Sequence, residues 1–194
     1  MDWTGIAKAP GAAIVDLWIA FALSWIVASL WANRTEKSAG AVAEAPYRIT
    51  LLAGTLLFLV PAHSYHGWMR LWQVSAREAW VCVGLMMAGF AFCWWARFHL
   101  GRLWSGQVTK KSDHRIVESG PYALVRHPIY TGLLIAILAT MVAKGTLPGI
   151  AGAALITAGI CMKARLEERF LRAELGEAAY DAYSRRVPML IPFA

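Results

Sequence analysis

Apolar residues in this chain come in long blocks, not at alternating positions. Residues 12–32 form the first block, with Asp16 and Trp31 near its ends, and a helix of about 21 residues is long enough to cross a bilayer. Further blocks run over 79–96, 129–143 and 146–162. The block at 49–62 is shorter and ends at Pro61, so it reads either as re-entrant or, extended through the aromatic stretch to Trp68, as crossing. Residues 33–48 read as a polar loop and 97–125 as the longest polar segment. From Lys163 onward charge returns on a helical period, with Leu166, Phe170, Leu171 and Leu175 in one apolar stripe and Gly176 as a break before Tyr180 and Tyr183. The expected fold is an all-α integral membrane protein. It has about five transmembrane helices, a C-terminal helical hairpin (129–143 with 146–162) and a cytoplasmic amphipathic tail helix.

Composition agrees: 58% of residues are hydrophobic and 16% charged, a membrane balance. The weakly positive start, Lys8 alone, favours a retained first helix over a cleaved leader. The net charge of +7 resides in the connections between apolar blocks, which points to orientation and anionic-lipid contact instead of nucleic acid. With five spans, 15 of the 19 Lys and Arg residues fall on one side, and only Lys8, Arg70, Arg77 and Lys144 on the other. That asymmetry predicts a cytoplasmic C-terminus and a cytoplasmic 97–126 connection. Cys82, Cys93 and Cys161 lie inside apolar blocks without C-x-x-C spacing and read as core thiols. His63 and His66 lack a carboxylate or thiol nearby, so no metal site is expected. All ten tryptophans fall at or before Trp104, which suggests a lipid-facing or acceptor-facing N-terminal half.

The densest polar chemistry is S-D-H-R-I-V-E-S-G-P-Y-A-L-V-R-H-P-I-Y-T-G-L at 112–133. Pro128 suits the first position of a helix and pushes His127 into the cap position. Tyr130 follows His127 by three residues, so both project from one face of the helix mouth. In the tail, Lys163–Glu167 and Glu168–Arg172 have the spacing of helical ion pairs.

S-D-H-R-I-V, S-G-P-Y and R-H-P-I-Y-T-G, followed by E-E-R-F-L and R-R-V-P-M-L-I-P-F, resemble the signature of the isoprenylcysteine carboxyl methyltransferase family over residues 95–193. The resemblance implies S-adenosylmethionine as cofactor. It carries cofactor contacts onto Gln107, His114, Arg115, Ile116, Val117, Tyr122, His127, Pro128, Ile129, Tyr130 and Glu167. Residues 1–194 then read as one membrane domain, with a three-helix part at 1–96 and a cofactor-binding, catalytic part at 97–194. Where the family has a substrate-facing arginine, this chain has Lys163, with Arg165 two residues on. A lysine keeps the charge and loses the bidentate fork for a carboxylate. A carboxylate acceptor needs only orientation by Lys163, Arg165 or Arg186, whereas an amine or thiol must lose a proton, for which Glu168 or a histidine is the candidate base.

The acceptor implied is membrane-embedded or apolar, a prenylcysteine carboxylate first. Phospholipid amines and small thiols are alternatives on the same scaffold. A sterol-reductase-like enzyme using NADPH is a rival of another class, though no G-x-G-x-x-G fingerprint is present. A non-catalytic membrane scaffold is a third.

Overall fold

The computed structural model describes residues 4–32, 35–64, 66–111 and 116–193. Six α-helices account for most of it: α1 (Thr4–Ser29), α2 (Ala41–Leu59), α3 (Ala76–Leu100), α4 (Pro128–Lys144), α5 (Leu147–Leu175) and α6 (Glu177–Arg186). The short strands β1 (Thr35–Ser38) and β2 (Thr109–Lys111) pair antiparallel. Four stretches are long and apolar enough to cross a membrane: Pro10–Ser29, Ala41–Leu59, Ala76–Leu103 and Leu147–Leu175. α4 is equally apolar but has only 17 residues.

The start of each helix follows from its sequence. α3 begins in a reciprocal capping box between Ser75 and Glu78. Thr146 caps α5 through the Gly149 amide. Pro128 opens α4, and Gly145 closes it in the left-handed conformation (φ 60°), where a Cβ would lie 2.3 Å from the Trp72 carbonyl oxygen.

α2 corrects two expectations. Half of the supposed loop at 33–48 is helical, and the doubtful span lengthens at its N-terminal end, not toward Trp68. The polar residues there satisfy one another at helical spacing: Tyr47 donates to Glu44 at 2.7 Å and Arg48 pairs with the same carboxylate.

Glycines set the packing. A Cβ on Gly132 of α4 would sit 2.4 Å from the Gly89 carbonyl oxygen of α3, and one on Gly54 of α2 would sit 2.9 Å from the Gly152 carbonyl oxygen of α5. Close backbone approach of this kind is how helices associate in lipid, where burial of apolar surface gives no net drive. α3 thus packs along α4 and α2 along α5, both more extensively than α4 packs on α5. The expected hairpin exists at its turn, but each arm leans on a different neighbour. The core fills the space between, with Phe58, Ile137, Ile156 and Ile160 in one cluster and Met86, Phe90 and Ala136 in another. α1 is joined to this core by few groups, among them Trp18, which donates to Thr140 at 3.0 Å. Outward-facing residues such as Ile19, Leu23, Val42, Leu52 and Val81 are exposed, as lipid contact requires.

The connections sort into two ends. At one end, Leu71 and Trp72 donate backbone amides to Gly145, and Lys144 caps the last carbonyls of α2 at Phe58 and Val60. At the other end lie β1 with β2, the segment leading into α4, and the tail after α5, with Lys37 paired to Glu174. Cys82, Cys93 and Cys161 are free thiols.

Candidate functional site

A cavity of about 370 Å³ opens at the end of the molecule that holds the tail. Its position is fixed by the way α4 begins. The two residues that lead into α4 are held by the C-terminal segment. Pro188 accepts from the Arg126 amide at 2.9 Å and Met189 from the His127 amide at 3.1 Å. Leu190 takes the Thr131 hydroxyl at 2.7 Å, and Tyr183 donates to the Tyr122 carbonyl at 2.8 Å. The tail is therefore built into the mouth of α4.

His127 occupies the cap position, as Pro128 dictates, yet its side chain makes no cap. The ring turns instead to α5, with Nε2 3.1 Å from Glu168 and Nδ1 3.6 Å from Glu167. It stacks on Tyr130, ring centroids 5.3 Å apart. Burial pushes the imidazole down in pKa, and the hydrogen bonds and charges of Glu167 and Glu168 overcome it, so the net shift is upward.

Tyr130 donates to Glu167 at 2.7 Å, and Lys163 lies 3.9 Å from the same oxygen. The Lys163 ammonium donates to the Gly106 carbonyl at 2.8 Å and faces the Tyr47 and Tyr130 rings. Arg126 grips both oxygens of Glu168, at 2.7 and 3.1 Å, a bidentate pairing. Glu168 is consequently not paired with Arg172, contrary to its spacing; Arg172 turns to Asp181 on α6.

Gln107, Ile116, Val117 and Tyr122 line the cavity from the connection before α4. His127, Pro128, Ile129 and Tyr130 line it from the helix mouth, with Lys163 and Glu167 from α5. His114 and Arg115 fall outside the described residues. Three expected catalytic residues are elsewhere. Arg165 and Glu168 border a separate hollow with Arg169, and Arg186 is 65% exposed and paired with Glu118. On α5, helical spacing turns Arg165 and Glu168 away from the face that carries Lys163 and Glu167, whereas Arg186 ends α6.

The sequence reading missed Trp25, Trp104 and Thr109, which also line the cavity, and Glu44 and Tyr47, which stand behind it. Trp25 and Trp104 meet edge to face at 5.7 Å, so two of the ten indoles face the site and not lipid. Trp25 is about 100 residues away in the chain, and no local pattern could have linked it to the signature. Glu44, Tyr47 and Arg48 did carry a signal, polar side chains at i, i+3 and i+4 beside an apolar block.

The lining fits a sulfonium nucleoside. Glu167 offers a carboxylate to an ammonium group, and aromatic faces suit a sulfonium cation. Thr109 lines the cavity, and its buried hydroxyl has no hydrogen-bond partner among the described residues, a polar atom that a ligand could satisfy.

The chain matches known sequences over part of its length. It is 35% identical over 133 residues to methanethiol S-methyltransferase 2 of Bradyrhizobium diazoefficiens, covering 63% of this chain and 49% of that one. It is 36% identical over 95 residues to the cobalt-zinc-cadmium resistance protein CzcN of Cupriavidus metallidurans (48% and 43%). It is 31% identical over 88 residues to protein-S-isoprenylcysteine O-methyltransferase B of Arabidopsis thaliana (45% and 44%). The chain spans less than half the length of these relatives. Residues 82–172 match the model of the isoprenylcysteine carboxyl methyltransferase family, and through that segment the chain is similar to this family.

Proposed function

We propose that the chain is a membrane methyltransferase that moves a methyl group from S-adenosylmethionine to a small apolar thiol. One observation favours a thiol over a prenylcysteine carboxylate. Lys163 stands where the resemblance calls for a substrate-facing arginine, and its ammonium is already engaged by the Gly106 carbonyl and Glu167. Arg126 is likewise taken by Glu168. Among the described residues, the cavity then offers no free cation to anchor an acceptor carboxylate. Relatives named for methanethiol support the same choice.

The bound donor would supply an electrophilic methyl on its sulfonium sulfur; the acceptor, entering as its thiolate after giving its proton to bulk solvent, would bond to that methyl carbon as the donor's S–CH3 bond breaks and the donor becomes a neutral thioether. Glu167, held by Tyr130, would take the donor's ammonium. The Gln107–Thr109 wall and Tyr122 would cover its nucleoside. Lys163 lends positive potential where a thiol must become a thiolate. Trp25, Trp104 and Ile129 exclude water, so that alignment and desolvation carry most of the acceleration. His127 organises the two carboxylates.

In this reading α4 completes a set of five crossings, the site and tail face the cytoplasm where the donor is made, α6 lies at the membrane surface, and residues 1–194 work as one membrane domain. A prenylcysteine carboxylate is the second reading, supported by the family match.

The test is to give detergent-purified protein methyl-labelled S-adenosylmethionine with methanethiol, N-acetyl-S-farnesylcysteine or an amine phospholipid. Labelled dimethyl sulfide is the expected product. A labelled ester from farnesylcysteine alone would replace the thiol reading with the second one, and failure of the protein to bind the donor would remove both.

A further inference from the structure

Glu44, in the first turn of α2, is 2% exposed, although its neighbour Val42 is 90% exposed on the outer face. A carboxylate buried at the edge of a membrane helix is costly unless every oxygen is used. Here every oxygen is used. One accepts from Tyr47 at 2.7 Å and pairs with Arg48, and the other accepts from the backbone amide of Val108 at 3.3 Å.

Val108 belongs to a short wall of the cavity, Gly106 to Thr109. The wall is tied at three points: Val108 N–H to Glu44, the Val108 carbonyl to the Ala39 amide at 2.9 Å, and the Gly106 carbonyl to Lys163 at 2.8 Å. Its next residue, Thr109, is 6% exposed, and its hydroxyl is without a partner among the described residues. An unsatisfied buried hydroxyl on a cavity wall calls for a ligand group. Glu44 and Tyr47 also precede residues 82–172, the segment that carries the family match.

We propose that Glu44 is a positioning residue for the donor site: through the Val108 amide it sets the wall so that the Thr109 hydroxyl meets a polar group of bound S-adenosylmethionine. The inference rests on the methyl-transfer reading and adds two residues to it. Thr109 makes the contact, and Glu44 acts through the wall.

The experiment is calorimetric binding of S-adenosylmethionine to the full chain in detergent, paired with amide exchange over peptides covering 105–109. Wild type is set beside E44A, E44D, E44Q and T109V. Glutamine keeps an acceptor at the same reach, so E44Q should bind within about twofold of wild type. E44A, and E44D with its shorter arm, should weaken binding about fivefold or more, the scale of one hydrogen bond, and speed exchange at 105–109. T109V should weaken binding in wild type yet add nothing in the E44A or E44D background, since coupled residues are not additive.

Equal affinity of wild type, E44A and E44D overturns the proposal, as does a T109V effect that adds in full to theirs. Should E44A not fold, the E44D/T109V cycle gives the same decision. A wild type that binds no S-adenosylmethionine refutes the methyl-transfer reading itself, which is a different result from equal binding by all variants.

Discussion

The Tyr130 hydroxyl on α4 and the Glu167 carboxylate on α5 are joined at 2.7 Å, across two helices that pack mainly on other neighbours. Because α4 leans on α3 and α5 on α2, the space between them at the tail end is bridged by side chains. His127 and Tyr130 reach from one side, and Glu167 and Glu168 from the other.

Glu167→Gln therefore removes the charge offered to an ammonium while keeping the Tyr130 bond geometrically possible. S-adenosylmethionine affinity should fall about tenfold or more, as expected for a charge-assisted contact. Tyr130→Phe should cost less, about threefold to fivefold, by freeing the carboxylate to swing. Titration calorimetry in detergent checks both, and unchanged affinity in Glu167→Gln would contradict the assigned role.

His127 gives a pH prediction. Its folded pKa is raised by Glu167 and Glu168 despite burial, with Arg126 and Tyr130 also facing the group. A raised histidine contributes stability that is fully present below its unfolded pKa of about 6.5 and is lost as pH climbs through the folded value. Melting temperature should decline from pH 6 upward by more in wild type than in His127→Gln. Parallel curves for the two proteins would mean that the imidazolium contributes nothing.

Two glycines on opposite sides of one packing rule test the α3–α4 contact. A Cβ at Gly132 would strike the Gly89 carbonyl at 2.4 Å and the Cys93 sulfur at 2.6 Å, whereas one at Gly84 meets nothing within 4 Å. Gly132→Ala should destabilise by about 1–3 kcal/mol through overpacking. Gly84→Ala should be neutral or stabilise by up to about 1 kcal/mol, since alanine is the better helix former. Thermal melts in one detergent compare them directly.

Arg97 is fully buried and holds the end of α1, donating to the Ala28 and Trp31 carbonyls at 2.6 Å each, between the rings of Trp31 and Trp104. Arg97→Leu removes the side-chain donors to those carbonyls and loosens the C-terminal end of α1. Limited proteolysis should then cut the 30–40 connection faster than in wild type, and Trp25 should withdraw from the cavity, quenching differently with added donor. Equal cleavage rates would show that α1 needs no such clamp.

The order of apolar blocks, the helix start at Pro128 and the break at Gly176 were legible in the sequence, because each depends on residues within a few positions. The motif at 112–133 was legible too, along with the pairing of Lys163 with Glu167 on one helical face. What failed were statements about partners. Glu168 had Arg172 at the right spacing and took Arg126 and His127 instead, since a buried bidentate arginine and an imidazolium outweigh an exposed i, i+4 pair. Arg186, at the end of α6, lies at the surface and pairs with Glu118.

By itself, then, the sequence determined that this chain is a set of apolar helices with its polar chemistry gathered near the start of α4 and along α5, since helix propensity, capping and bilayer length are local properties. Only the tertiary structure decided which helices touch, and with it that Trp25 and Glu44 from the first two helices help to build a cavity at the mouth of the fourth. The glycine pairs Gly89–Gly132 and Gly54–Gly152 made that decision, because backbones approach closely only where no Cβ intervenes, and nothing in the spacing of a glycine along one helix names its counterpart on another.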